Sequence, residues 1–510
     1  MPNNQVNRIA KNTVLLYMRT FFTMLIGLYT SRVVLKNLGV EDFGIYSAVG
    51  GVVAMFSVIT GSLTAAIQRF LTFELGKGNQ EKLTRIFSSS VTIQVVMAFI
   101  VVVVAEIVGI WFLNNKMNIP AARMDAANWV LHFTLASFAI TLVSVPYNAA
   151  IIAHERMSAF AYIGVFEAIC KLGIAFLILK SPVDTLVFYT FLMCSVAIVI
   201  RFVYGAYCKR MFAECSYRII FDKALFKQMF GFAGWNFIGA SSAILREQGG
   251  NILLNVFFGP TMNAAKGISS QVNGAVSQFI SGFTTAMNPQ ITKSYASGDY
   301  DYMMKLLFWG SRLSYYMLFL IALPIILDAE FLLDVWLVDY PSYAIVFVQL
   351  VMLFSLSESI SNPLITVMLA TGNIRNYQIV VGGLQMMNFP VSYIGLKMGY
   401  PATFVLIVAV VISQLCFFAR LFMLNKMIQL QVALFLKKVY CNILAVSIIA
   451  AFFPYILCNL FEKGLFCFIL SVMTSFVSSS FVIFFIGCSK KERELVMNKA
   501  KVWMGRFKHA

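Results

Sequence analysis

Long apolar runs, each broken by a short polar turn, follow one another along almost the whole chain. A helix that crosses a bilayer needs roughly 20 mainly apolar residues. Fourteen stretches meet that demand: 12–35, 43–70, 86–113, 126–152, 157–179, 184–208, 228–257, 264–290, 304–332, 342–370, 376–396, 402–425, 439–461 and 465–487. The runs are too long for the short alternating strands of a membrane barrel, so the pattern predicts an all-α polytopic membrane protein. The loops between them are short, which leaves no room for an extramembrane domain. The first run shows no cleavable signal pattern and is long enough to span, so it is kept as a helix.

Polar residues that interrupt these runs are the next signal, because a charge at the centre of a membrane helix costs roughly 2.5–3.5 kcal/mol by insertion scales. Charges fall inside the spans at Arg19, Arg32, Glu167, Lys171, Arg201, Arg246, Glu247, Arg312, Glu358 and Arg420. Arg32, Arg201 and Arg420 lie near span ends and are open to snorkelling. Glu167 and Lys171 have the four-residue spacing of a helical ion pair. Arg246 and Glu247, in "SSAILREQGGNILL" (241–254), sit deeper, and as neighbours in sequence they project about 100° apart and pair poorly. Glu247 shares a face with Asn251 and Asn255. The next run adds a stripe of Gln271, Gly274, Gln278, Ser281, Thr285 and Asn288. Two such faces suit the wall of a wet cavity, although a hydrogen-bonded packing seam would give the same stripe. Pro146, Pro324, Pro363, Pro390 and Pro454 within spans predict kinks.

A shift of 220 residues lays 31–90 on 251–310, placing Gly39 on Gly259, Thr64 on Thr284, Ala66 on Ala286 and Gly78 on Gly298. Seven identities in the sixty positions are few, so the register of helices and loops carries the comparison. The expected organisation is a six-helix lobe over 1–215, a second over 216–430, two more helices over 431–488, and a basic tail over 489–510. Transporters built as such repeats hold substrate between the halves.

Composition and charge sharpen the class. Of the 510 residues, 60% are hydrophobic and 12% charged, with a mean hydropathy of +0.81. The net charge of +17 would suggest nucleic acid in a soluble chain. Here the excess Lys and Arg collect in one set of loops, as cytoplasmic loops do, so no nucleic-acid partner is expected and both termini are placed in the cytoplasm. The nine Cys form no C-x-x-C pair, and three His (His132, His154, His509) are too scattered for a metal site; no metal or cofactor is expected. There is no phosphate-binding G-x-x-x-x-G-K-[ST] loop, no H-E-x-x-H and no G-x-S-x-G, so transport explains the chain better than catalysis. Arginines in a cavity suit an anionic ligand through bidentate pairing with phosphate, and amide and hydroxyl stripes suit sugars.

Two segments carry a family likeness. "LGVEDFGIYS" (38–47), after Arg32, and "VPYNAAIIAHERMSAFAYIGVFEAICKL" (145–172) resemble the polysaccharide transporter family, whose members are repeat-unit flippases for O-antigen or capsule. That family belongs to the multidrug, oligosaccharidyl-lipid and polysaccharide exporter superfamily. The resemblance implies a MATE-like fold: about 14 helices as 6+6+2, in two pseudo-symmetric lobes around a central cavity. It implies a flippase for undecaprenyl-pyrophosphate-linked oligosaccharides in the bacterial cytoplasmic (inner) membrane, working by alternating access with H+ or Na+ coupling. Its expected partners are the lipid-linked oligosaccharide, membrane lipids, a polysaccharide polymerase and chain-length proteins. The alternatives are a cation-coupled multidrug exporter of the related branch and a lipid II flippase. Arg32 matches the family's arginine. The expected substrate-binding set is Arg19, Arg32, Arg246, Asn251, Gln271 and Gln278, with Glu247 for ion coupling.

Overall fold

The computed structural model describes residues 3–54, 57–115, 119–218, 220, 222–337, 340–460, 464–490, 492–494 and 497. Some side chains inside the helices, including those of Arg32 and Asn255, lie outside the described residues, as does most of the basic tail. Every regular element among the described residues is helical. The first unit carries α1 (Asn3–Ala54), α2 (Ser57–Lys77), α3 (Gln80–Asn115), α4 (Met124–Ala153), α5 (Met157–Leu177) and α6 (Thr185–Met211). Then follow α7 (Lys223–Phe258), α8 (Pro260–Ala296), α9 (Tyr300–Leu327), α10 (Ala329–Trp336) and α11 (Tyr343–Thr371). The chain continues through α12 (Arg375–Met386), α13 (Asn388–Lys397), α14 (Phe404–Ile428), α15 (Val432–Phe435), α16 (Cys441–Leu460) and α17 (Leu465–Val482).

Ten helical segments among the described residues are long and apolar enough to cross a membrane. The protein is therefore an all-α, multi-pass membrane protein. Helices α7 and α8, which carry the polar stripes, are not among the ten, because Arg246, Glu247 and the Gln, Asn, Ser and Thr positions dilute their apolar character.

The chain divides into two compact units, one of residues 1–241 with 285–300, the other of 242–284 with 301–510. Helix α8 thus begins in the second and ends in the first, and Pro289 lies just beyond the crossing point. In the first unit, Val34, Val49 and Val53 of α1 pack with Ala127 and Leu131 of α4, Ile174 and Ala175 of α5, and Leu186 of α6. Lipid tails are as apolar as these side chains, so close packing rather than water exclusion holds such helices together. Glycine makes the approach possible. A Cβ at Gly76 would lie 2.7 Å from the Lys293 carbonyl and 2.8 Å from Ala296 Cβ; one at Gly395 would lie 2.0 Å from the Phe404 ring.

Among the described glycines with a left-handed backbone, four fall in two pairs 220 residues apart. Gly39 (φ 79°) kinks α1, and Gly259 (φ 81°) separates α7 from α8. Gly78 (φ 73°) ends α2, and Gly298 (φ 78°) follows α8. Prolines 146, 324, 363 and 454 lie inside helices as expected. Pro390 differs: it occupies the first turn of α13, just past the break at Met387, where the missing N–H costs no helical bond.

Gly78→Ala and Gly298→Ala should each lower stability by about 1 kcal/mol, since alanine resists positive φ. Gly234→Ala, at an exposed helical position with open space around its Cα, should be neutral or slightly stabilising. Thermal unfolding of the three variants in one detergent checks the contrast.

Candidate functional site

Arg246 and Glu247 do meet a common space. They line a cavity of about 70 Å³ in the second unit, together with Lys266 and Asn273 of α8, Phe354 of α11, and Asn388 and Ser392 of α13. It has room for a few waters. The Arg246 guanidinium stands 4.7 Å over the Phe354 ring; among the described residues it forms no ion pair. Ring and cation attract through the ring quadrupole, which steadies the charge without neutralising it. Gly249 allows the Phe389 ring to approach: a Cβ there would lie 2.7 Å from the ring.

The rest of the expected set is dispersed. Asn251 Nδ2 donates to Gln248 Oε1 at 3.3 Å and does not line this cavity. Gln271 and Gln278 are exposed on α8, off the cavity. Asn273, one position off their stripe, faces inward and accepts from Ser355 Oγ at 2.5 Å. Lys266 and Asn273 went unnoticed in the sequence, although a lysine inside the 264–290 run was a legible signal.

Arg19 lies in the first unit, 4.3 Å over the Phe160 ring. It fills a notch at Gly164, where a Cβ would sit 2.3 Å from its Nε. Arg201 stacks 3.9 Å over Tyr147, and Arg69, which sequence reasoning passed over, lies 4.5 Å over Phe73. Glu167 and Lys171 pair at 2.6 Å as their spacing suggested.

Arg420 does not snorkel. It is 1% exposed on α14, 3.9 Å from Glu358 of α11. Ser413 donates to Glu358 at 2.9 Å, Gln414 to Ser357 at 2.6 Å, and Tyr440 to Gln414 at 3.1 Å. Too many inward partners converge on this stretch of α14 for its arginine to turn outward.

At one end of the first unit the turn between α4 and α5 gathers further charge. Glu155 has a left-handed backbone (φ 58°) and a buried side chain. It accepts from Lys293 Nζ at 2.7 Å and from Gln290. His154 stacks on Phe212 at 4.1 Å and bonds Glu214, which also accepts from Gln80 at 3.1 Å. Burial pushes the Glu214 carboxyl up, but the hydrogen bond from His154 and its charge outweigh that and hold it below the usual carboxylate range. At the opposite ends of these helices Arg123 joins Asp42, in the 38–47 motif, to Asp184 at 2.5 Å. Asp184 also caps α6, accepting from the Leu186 and Val187 amides.

Asp328, Cys458 and Cys467 bring their ligand atoms within 4.8 Å of one another. Thiolates with a carboxylate suit a thiophilic metal, and Cys458 Sγ here donates to Ser471 at 3.3 Å.

These features define a membrane protein whose helical interior keeps cations beside aromatic rings. Residues 9–295 match the model of the family described as "Polysaccharide biosynthesis protein", and the chain belongs to that family. An uncharacterized membrane protein, EpsK of Bacillus subtilis (strain 168), is 20% identical over 285 residues, covering 55% of this chain and 56% of its own length. The chain thus spans about half the length of the curated relative it matches. Among solved structures, MATE in the bent conformation aligns with a TM-score of 0.72 at 11% identity, over 85% of this chain and 96% of its own. An outward-facing multidrug resistance MATE family transporter of the MOP superfamily aligns at 0.69 and 12%, over 85% and 99%. A MOP superfamily transporter from Pyrococcus furiosus, whose binding pocket is described as reversed in polarity, aligns at 0.66 and 12%, over 82% and 97%. The fold is MATE-like.

The lowered Glu214 carboxyl stabilises the fold above its unfolded-state pKa, and that contribution is lost as pH falls through its folded value. Glu214→Gln should cost about 1–3 kcal/mol at neutral pH. Its melting temperature should also fall less between pH 7 and pH 4 than that of the unsubstituted protein; differential scanning fluorimetry across that range checks both.

Proposed function

We propose that the protein is a flippase that carries oligosaccharides linked to undecaprenyl pyrophosphate across the bacterial cytoplasmic membrane. It does so by alternating access, for surface polysaccharide such as O-antigen or capsule. Membership of the polysaccharide family over residues 9–295 and the MATE-like fold support a membrane transporter of this kind. In this reading fourteen spans are arranged as 6+6+2, with lobes over 1–215 and 216–430, helices over 431–488 and a basic tail over 489–510. Both termini are cytoplasmic. Transport, not catalysis, is the activity, and polymerase and chain-length proteins take up the product.

One observation carries the cargo class: the cavity beside Arg246. It holds Arg246 and Lys266 against the single carboxylate of Glu247, and the Arg246 charge rests on a ring rather than an acid. An excess of cations favours a phosphate-bearing ligand over a cationic drug. Arg19, Arg32 and Arg246 receive the phosphates, and Asn251, Gln271 and Gln278 meet sugars during the cycle. Glu247 takes the coupling H+ or Na+. The drug-exporter and lipid II readings remain the competitors, since MATE-like neighbours at 11–12% identity share the fold alone.

The test is purified protein in liposomes with a labelled undecaprenyl-pyrophosphate oligosaccharide, scored by access of an external probe to the glycan. Protein-dependent exposure is expected, falling at least tenfold, about 1.4 kcal/mol, in Arg246→Ala. Glu247→Gln should abolish the response to an ion gradient. Gradient-driven efflux of a cationic dye, with no exposure of several glycans, would overturn the reading.

A further inference from the structure

The turn at 154–156 belongs to the second segment that carries the family likeness, yet transport through a cavity at Arg246 gives it no task. It borders a cavity of about 710 Å³ within the first unit, lined among others by Lys11, Asn12, Glu155, Arg156, Ser158 and Lys293. We propose that this cavity is a docking site for a diphosphate headgroup, the first place where the lipid-linked cargo is held; this rests on the flippase reading, which puts this end of the helices in the cytoplasm.

The charges divide into two sets. Lys293 is neutralised by Glu155 at 2.7 Å, and His154 is matched by Glu214. Lys11 and Arg156 are exposed and pair with no carboxylate among the described residues. Two uncommitted cations from separate elements therefore face one space large enough for a diphosphate and its first sugar. A diphosphate matches them: guanidinium binds its oxygens as a fork and ammonium as a point charge. Ser158 and Asn12 supply neutral polar groups beside them.

The Glu155 geometry adds a consequence of binding. Its carboxylate clamps Lys293 and Gln290, both past Pro289 on the last turns of α8, while its backbone adopts the left-handed conformation that side chains other than glycine rarely keep without tight surroundings. A phosphoryl group arriving beside Lys293 competes with Glu155 for the ammonium and loosens that clamp. Docking of the headgroup and release of the α8 end are then one event.

The measurement is binding of undecaprenyl diphosphate, without sugar, to the full-length protein in nanodiscs of zwitterionic lipid. Lys11→Gln combined with Arg156→Gln should weaken binding about tenfold, and Lys11→Arg with Arg156→Lys should restore most of it, with unchanged melting temperatures. Competition by inorganic pyrophosphate supports the assignment. Competition by phosphatidylglycerol at equal concentration, which would mark a general phospholipid headgroup site, overturns it, and so does undiminished binding by the double glutamine variant. The two readings separate cleanly. Headgroup binding that depends on Lys11 and Arg156 in a protein that flips no glycan leaves this site standing and sinks the flippase. Flipping by a double variant that binds as the unsubstituted protein does has the opposite meaning.

Discussion

A guanidinium stays charged at any pH a cell meets, so an arginine among apolar helices has to be held by something other than proton loss. In this protein the commonest solution is a ring face. Arg19 lies over Phe160, Arg69 over Phe73, Arg201 over Tyr147 and Arg246 over Phe354, at 3.9 to 4.7 Å. A carboxylate would cancel the charge, whereas a ring tolerates it. Arg420 shows the other solution, buried to 1% exposure with Glu358 nearby. The difference separates cations held on ring faces from one that ties α14 to α11.

The acids are spent mainly on turns. Glu155 secures the α4–α5 turn to α8, Glu214 secures the segment after α6 to His154, and Asp42 with Asp184 encloses Arg123 between α1 and α6. Each sits where a chain reversal leaves backbone polar groups and charged side chains at the rim of the apolar interior. Glu167, Glu247 and Glu358 lie within helices, yet the cavity beside Arg246 still holds two cations, Arg246 and Lys266, against one carboxylate. That bias agrees with a phosphate-bearing cargo and sits poorly with a cationic one.

Much of the helical fold was legible from apolar run length, because nothing else satisfies backbone groups in a bilayer as simply. The Glu167–Lys171 pair was legible for the same local reason: both partners lie on one helix face. What the sequence left hidden depends on neighbours. Periodicity identified a polar face on α8, yet the residue that joins Arg246 is Asn273, one step round from that face, and the cavity is completed by Asn388 and Ser392 from α13. No spacing along α7 or α8 points to α13. Arg420 looked free to reach outward because its distance from a helix end was visible and the position of Glu358 was not.

The paired glycines carry a historical implication. Gly39 with Gly259, and Gly78 with Gly298, agree in φ within a few degrees, whereas the residues around them have few letters in common. The joints agree where the surfaces around them do not. An ancestral duplication in such a chain would be all but erased from residue identity while remaining written in the handedness of its turns. Within this chain the repeat is accordingly easier to trace in backbone torsion than in side-chain likeness.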